Sequence, residues 1–319
     1  MDLSIIIVNW KSKDYLRKCA ASIIAEVQGL RYEIIVIDSA SFDGCGEMLK
    51  AEYPQVRFIQ SQENLGFAKA NNLAFESSSG EVILFLNPDT EVVGPAINEL
   101  HSALKHAPKA GAVGAKLLNS DGTIQTTSVA AFPTILNQVL SSELLRRFFP
   151  RSRLWGMATL FDPNSKPQVV QAISGACVML PRQLLRKIGV FSEDYFMYAE
   201  DMDLCHKVWE AGSKCYYVPT ATLIHHGGGS SQGTASNFSS VMMRESAWRF
   251  FRKTRGNLYA WAYRSSTMAT AVLRLVLLAL LFPFRQTHDR RAGWWGSFRK
   301  WNAIFSWSLC RGNSRQLKM

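Results

Sequence analysis

Short apolar runs alternate with amphipathic stretches through the first 118 residues. SIIIVN (4–9), YEIIVID (32–38), VRFIQ (56–60), EVILFLN (81–87) and AGAVGAKLL (110–118) are apolar, bounded by polar residues, and predict strands. Residues 12–26, 64–80 and 94–107 read as helices, with Ser12 a candidate N-cap and Gly80 a candidate stop. A strand–helix–strand order predicts an α/β fold whose mostly parallel sheet is covered by helices on both faces. The pattern loosens from 119 to 170, where Pro133, Pro150, Pro163 and Pro167 mark loops and short helices laid over a site. ISGACVML (173–180) and CYYVP (215–219) return to strand, and 198–212 to a helix ending at Gly212. No internal repeat is visible.

Charge changes this picture near the C-terminus. The 319 residues carry +11 in all, yet residues 1–240 hold 21 Lys and Arg against 23 acidic residues. Residues 241–319 hold 15 Lys and Arg against only Glu245 and Asp289, a balance of +13, together with six of the nine tryptophans. A basic, Trp-rich segment suits anionic lipid headgroups. Within it, 241–255 reads as a basic helix, and ATAVLRLVLLALLFPF (269–284) is strongly apolar but holds Arg274 and Pro283. That run is shorter than the ~20 residues a bilayer span needs. An interfacial or re-entrant helix fits it, with packing on the rest of the chain or on a second subunit of a homo-oligomer as the alternative. Nucleic acid, the other partner of basic patches, has no use for the apolar run. The six cysteines show no CxxC pair, and no secretory signal opens the chain, so reduced thiols in an intracellular protein are expected.

Open α/β sheets bind ligands at the carboxyl ends of their strands. Asn9, Asp38, Asn87 and Asp89 fall there. No GxGxxG follows the first strand, which argues against a dinucleotide-binding domain. Asp38 alone reads as a turn or cap residue. With Ser39, Ser41 and Asp43 in the loop after it, its carboxylate can also accept hydrogen bonds from a nucleobase or ribose. FLNPDT (85–90) is either an ordinary Asn-Pro-Asp turn or an oxygen-rich turn for a hard divalent cation. Glu200, Asp201 and Asp203 open a predicted helix. They favour the helix dipole, but three carboxylates in four residues exceed what a cap needs, and one can serve as general base. SGACVMLPR (174–182) offers small residues where a substrate can approach the backbone, and HHGGGSS (225–231) offers imidazoles for a metal or a phosphate.

SIIIVNW, VIDSASFDG, NLGFAKANN, FLNPDT, SGACVMLPR, FMYAEDMDLCHK and HHGGGSS together resemble, in order and spacing, the family 2 glycosyltransferases. The likeness is greatest to the rhamnosyltransferase-like branch that builds bacterial cell-surface polysaccharides, and it covers about residues 1–255. It implies a GT-A fold, a nucleotide-diphosphate sugar donor, Mg²⁺ or Mn²⁺, and inversion at the anomeric carbon. It implies Asp201 as base supported by Glu200 and Asp203. The donor set implied is Asn9, Asp38, Ser41, Asn64, Gly66, Asn87 and Gly175, with Asp89, His225 and His226 at the metal. Asn87 replaces the first acid of the family's DxD, and Ser39 stands where Asn is common. The expected division is a catalytic domain at 1–255, with a donor half at 1–118 and an acceptor half at 119–255, and a membrane-associating tail at 256–319. A lipid-linked saccharide or polysaccharide acceptor at the cytoplasmic face of a bacterial inner membrane completes the expectation. A nucleotidyltransferase and an inactive nucleotide-sugar-binding protein are the alternatives.

Overall fold

A computed structural model describes residues 1–140, 143–195, 197–227, 237–281 and 288–309. In chain order the first elements are β1 (Leu3–Asn9), α1 (Lys13–Glu26), β2 (Tyr32–Ser39), α2 (Cys45–Glu52), β3 (Arg57–Ser61), α3 (Gly66–Glu76) and β4 (Val82–Leu86). Next come β5 (Thr90–Val93), α4 (Ala96–His106), β6 (Ala110–Leu118), β7 (Val129–Ala130), α5 (Ile135–Val139) and α6 (Glu143–Phe148). The chain continues through β8 (Gln168–Val170), β9 (Ala172–Ile173), β10 (Cys177–Pro181), α7 (Arg182–Ile188), α8 (Glu200–Glu210) and β11 (Lys214–His225). Two long helical elements, α9 (Asn237–Leu281) and α10 (His288–Leu309), close it.

The main sheet has the order β3-β2-β1-β4-β10-β6-β11-β5, with β8 also on β11. The pairs β3-β2, β2-β1, β1-β4 and β6-β11 are parallel, while β10, β5 and β8 run antiparallel to their neighbours. Strand side chains alternate between faces, so each strand feeds two cores. Leu3, Ile5 and Ile7 pack with Leu16, Cys19 and Ile23 of α1 and with α4. Ile6 packs on the other face with Ala70, Ala74 and Phe75 of α3 and with Leu204 and Val208 of α8. This two-sided burial explains the unbroken apolar runs in the sequence.

The chain forms two compact units, Met1–Phe132 with Glu143–Ser230, and Pro133–Ser142 with Ser231–Met319. The helix before residue 255 thus groups with the tail and not with the sheet. Within that unit Gly256 interrupts α9 with φ 82° and ψ 173°. ISGACVML is not one strand either. Ser174, Gly175 and Ala176 form a gap between β9 and β10, and that gap carries chemistry.

Candidate active site

Strand register gathers the predicted residues at one sheet edge. Asn9 ends β1 opposite Asp38 of β2. The turn after β4 carries Asn87 and Asp89. Because β10 is antiparallel to β4, with Cys177 opposite Leu86, the Ser174–Ala176 gap opens onto the same edge. Because β5 is antiparallel to β11, Thr90 lies opposite His225.

Asp38 is buried and heavily hydrogen-bonded. It accepts from Asn9 Nδ2 at 2.8 Å, Gln60 Nε2 at 2.8 Å, the Ser41 and Phe42 amides at 3.0 and 3.2 Å, and the Ser41 hydroxyl. Burial pushes its carboxyl up, but the bonds from Ser41, Gln60, Asn9 and the Phe42 amide prevail and hold it below the usual range. Asp38, Asp43 and Cys45 have ligand atoms within 4.8 Å of one another. Asn9 Nδ2 donates into that group, reaching Asp38, Asp43 at 3.3 Å and Cys45 Sγ at 3.2 Å. An amide already supplies the positive pole there, and burial holds the Cys45 thiol protonated. Asn9 Oδ1 stays buried without a partner, the kind of group an incoming donor satisfies. Asn64 is exposed, and its Oδ1 accepts from the Gly66 amide at 3.0 Å and from Ser39 Oγ at 3.3 Å, opening α3. Gly66 has φ 70°, which favours glycine.

On the other side of β4, His225 Nδ1 lies 2.7 Å from Gln125 Oε1. The Gln125 oxygen can only accept, so Nδ1 carries the hydrogen. His225 Nε2 lies 3.3 Å from Asn87 Nδ2 and 3.3 Å from Asp89 Oδ1. An imidazole nitrogen, a carboxylate and an amide therefore converge. His226 goes elsewhere. Its Nε2 meets Glu91 Oε1 at 2.7 Å and its Nδ1 meets Ser120 Oγ at 2.7 Å, while its backbone N–H bonds the Asp89 carbonyl. Successive residues at a strand end point to opposite sides, so only His225 joins Asp89.

At the start of α8, Asp201 Oδ2 accepts the Gly175 amide at 2.9 Å and Oδ1 accepts its neighbour Met202 N–H at 2.8 Å. Glu200 Oε2 is buried without a partner. Burial, and then the Asp201 charge, push the Glu200 carboxyl up to about 8. Burial pushes the Asp201 carboxyl up as well, and the Gly175 and Met202 amides oppose that rise. Glu200 has no such bonds on Oε2, so of the two it keeps the shared proton more readily. Asp203 does not join them. It is buried, taking Ser192 Oγ at 2.5 Å, Tyr195 OH at 3.3 Å and Lys207 Nζ at 3.5 Å. Two residues on a helix are about 200° apart, so Asp203 anchors the 190–195 segment while Asp201 faces Gly175. Tyr198 and Ala199, just before the pair, both have φ above 60°, a conformation non-glycine residues adopt at a cost and that concentrates at functional sites. Phe196 and residues 228–231 of the expected motifs lie outside the described residues.

Two predictions arise here. A folded state that keeps Glu200 protonated holds more protons than the unfolded chain between the ordinary value of 4.5 and about 8. Stability should therefore fall as pH rises through that window. Thermal melts of Glu200→Gln should show a shallower decline than wild type. In Gly175→Ala the new Cβ sits 3.3 Å from Asp201 Cβ and 3.6 Å from its Oδ2. A displacement of a few tenths of an ångström should lower kcat roughly tenfold, with a small change in Tm. Unchanged kcat would separate Gly175 from the reaction.

The sequence matches the family model "Glycosyl transferase family 2" over residues 4–189, more than half the chain. The chain belongs to glycosyl transferase family 2. A second model, "Glycosyl transferase family group 2", matches residues 122–312. The N-acetylglucosaminyl-diphospho-decaprenol L-rhamnosyltransferase of Mycobacterium tuberculosis is 28% identical over 238 residues, covering 70% of this chain and 76% of the relative. Rhamnosyltransferase WbbL of Escherichia coli is 26% identical over 234 residues, covering 70% and 82%. Among solved structures, the mannosyltransferase PcManGT of Pyrobaculum calidifontis, in complex with GDP-Man and Mn²⁺, superposes with a TM-score of 0.59 at 16% identity. That likeness covers 98% of this chain and 88% of the other and shows the GT-A fold. The family 2 enzyme is thus a glycosyltransferase, as its motifs imply.

The sequence motifs did not reveal Gln60 and Gln125. Gln60 stands opposite Asp38 in the β2–β3 register, so the polar end of VRFIQ was a usable signal. Gln125 lies in a loop with no pattern, and nothing local marks it.

Proposed function

We propose that this family 2 glycosyltransferase moves a sugar, with rhamnose the first candidate, from a nucleotide-diphosphate donor to a hydroxyl of a lipid-linked saccharide, with inversion. The carrying observation is the buried Glu200–Asp201 pair, in which Asp201 accepts the Gly175 and Met202 amides that favour its charged form against burial, beside a Glu200 pushed up to about 8. The acceptor oxygen attacks C1 of the donor as the bond from C1 to the diphosphate oxygen breaks. Asp201 takes the acceptor proton, and the electron pair leaves with the diphosphate. Asn9 and the Asp38 loop form the wall for the nucleoside. Asp89, His225 and the Asn87 amide oxygen, once rotated from its present bond, fit a hard divalent cation, Mg²⁺ or Mn²⁺. Such a cation offsets charge on the leaving diphosphate when bound. The activities of the two rhamnosyltransferase relatives support rhamnose, and that of the mycobacterial one supports a lipid-diphosphate acceptor. A thermal-shift screen of nucleotide-diphosphate sugars tests this reading. Stabilisation by at least one sugar nucleotide, larger with Mn²⁺ present, is expected; none across the panel would sink it.

The tail is part of the same reading. We infer that residues 256–319 hold the enzyme on the cytoplasmic face of a bacterial inner membrane, where a lipid-linked acceptor is displayed. The helical stretch Phe238–Leu281 of α9 contains an 18-residue window of mean hydropathy 1.5, long and apolar enough to cross a membrane. Leu273, Val276, Leu277, Leu280 and Leu281 are all exposed. Arg274 among them favours a helix lying at the interface. Full-length enzyme should float with anionic vesicles, with partial release by high salt and full release by detergent. Enzyme that stays in the soluble fraction would exclude this role.

A further inference from the structure

Two guanidinium groups of the second unit gather at one indole. The Arg244 guanidinium lies 5.5 Å from the centre of the Trp301 ring and that of Arg274 lies 5.7 Å from it. Lys300 is next to Trp301 in α10. Arg244 is half-buried and donates to the Ser240 carbonyl. Burial first, and then the charges of Arg244 and Arg274, push the Lys300 ammonium below its usual range, so the three sense one another. Ordinary surface cations relieve such crowding with carboxylates, and this unit has almost none. Residues 231–319 and 133–142 contain only Glu245 and Asp289. Glu245 is engaged by Arg249 Nε at 2.9 Å and by Trp307 Nε1 at 3.0 Å. No carboxylate among the described side chains answers Arg244, Arg274 or Lys300.

Like charges held together without a counter-charge are unfavourable unless an anion completes them. Guanidinium forks suit phosphate oxygens, and the indole fixes their position. The anion's other half is indicated by what surrounds Arg274. Leu277 and Leu281, three and seven residues on, lie on the same side of the helix as Arg274 and are 41% and 46% exposed. A site with cations at one level and open leucines beyond fits an amphiphile.

We propose that Arg244, Arg274 and Lys300 around Trp301 form a binding site for the headgroup phosphate of an anionic bilayer lipid, with its acyl chain along Leu277 and Leu281. The site rests on the reading of the tail as membrane-bound and gives it a discrete contact in place of diffuse charge. It predicts that two particular cations matter more than any other two.

The test is flotation of the full-length enzyme with phosphatidylcholine vesicles containing phosphatidylglycerol. Arg274→Gln with Lys300→Gln should lower partitioning roughly 10–30-fold, from ~1 kcal/mol per cation near an anionic surface. Arg252→Gln with Lys253→Gln, which removes two exposed cations of the same unit from α9, should change it less than about threefold. Arg274→Lys with Lys300→Arg keeps the charges and should restore most binding. Equal losses in the two Gln pairs would overturn the site while leaving the membrane reading intact. Failure of wild-type enzyme to float would overturn both. Calorimetry with inorganic phosphate or pyrophosphate adds a separate arm. Saturable binding to these three residues as tight as to the vesicles would assign the site to a soluble phosphate instead.

Discussion

Replacing Asp201 with Asn should lower turnover by about 10²–10⁴-fold, the usual worth of a general base, and leave donor affinity nearly unchanged. The substitution is close to isosteric, and the remaining amide oxygen can still accept the Gly175 N–H now bonded at 2.9 Å. The fold should survive because the α8 residues that pack in the core, Leu204, Cys205 and Val208, are untouched. Glu200 should not rescue the activity, since burial and the lack of a partner on Oε2 keep its proton in place. Asp203→Asn provides the contrast. It loosens the contacts to Ser192, Tyr195 and Lys207, so it should lower Tm more than kcat. Single-turnover kinetics with calorimetric donor binding separates these outcomes. Near-normal turnover in folded Asp201→Asn would remove Asp201 from the mechanism.

The second large effect is expected at the Asp89–His225 pair. Asp89→Ala should weaken donor binding by 10-fold or more, roughly the loss of one charge-assisted contact, and EDTA should do the same to wild type. His225→Ala should produce a similar loss, because Nε2 faces Asp89 Oδ1 at 3.3 Å. His226→Ala should have a much smaller effect on donor binding, since its ring is bound to Glu91 and Ser120. If calorimetry finds tight donor binding indifferent to Asp89→Ala and to EDTA, the turn after β4 is a turn and nothing more.

The parallel half of the sheet was legible because strands buried on both faces must be apolar throughout. SIIIVN, YEIIVID and EVILFLN could hardly be anything else. β5 was missed because four residues after an Asn-Pro-Asp turn give no period to read. The Ser174–Ala176 gap is not legible because small residues look alike in a strand and in a close turn, yet its Gly175 amide bonds Asp201. Asp38 and Asn9 were found at strand ends, but their bonds to each other were not, since 29 residues separate them and only register brings them level. The acidic triplet and the His pair show a different limit. Counting carboxylates or imidazoles in a motif ignores which side of the helix or strand each one faces. Asp203 and His226 therefore bond to Ser192, Tyr195 and Lys207 and to Glu91 and Ser120, while Asp201 meets Gly175 and His225 meets Asp89.

Product analysis separates sugar transfer with inversion from every alternative in one reaction. Full-length enzyme is given a panel of nucleotide-diphosphate sugars, rhamnose included, with a lipid-diphosphate saccharide acceptor, and the released nucleotide and the new anomeric centre are read by NMR. One nucleoside diphosphate per sugar transferred, and an anomeric configuration opposite to that of the donor, are expected. Release of pyrophosphate, retention of configuration, or donor binding without transfer would contradict sugar transfer with inversion.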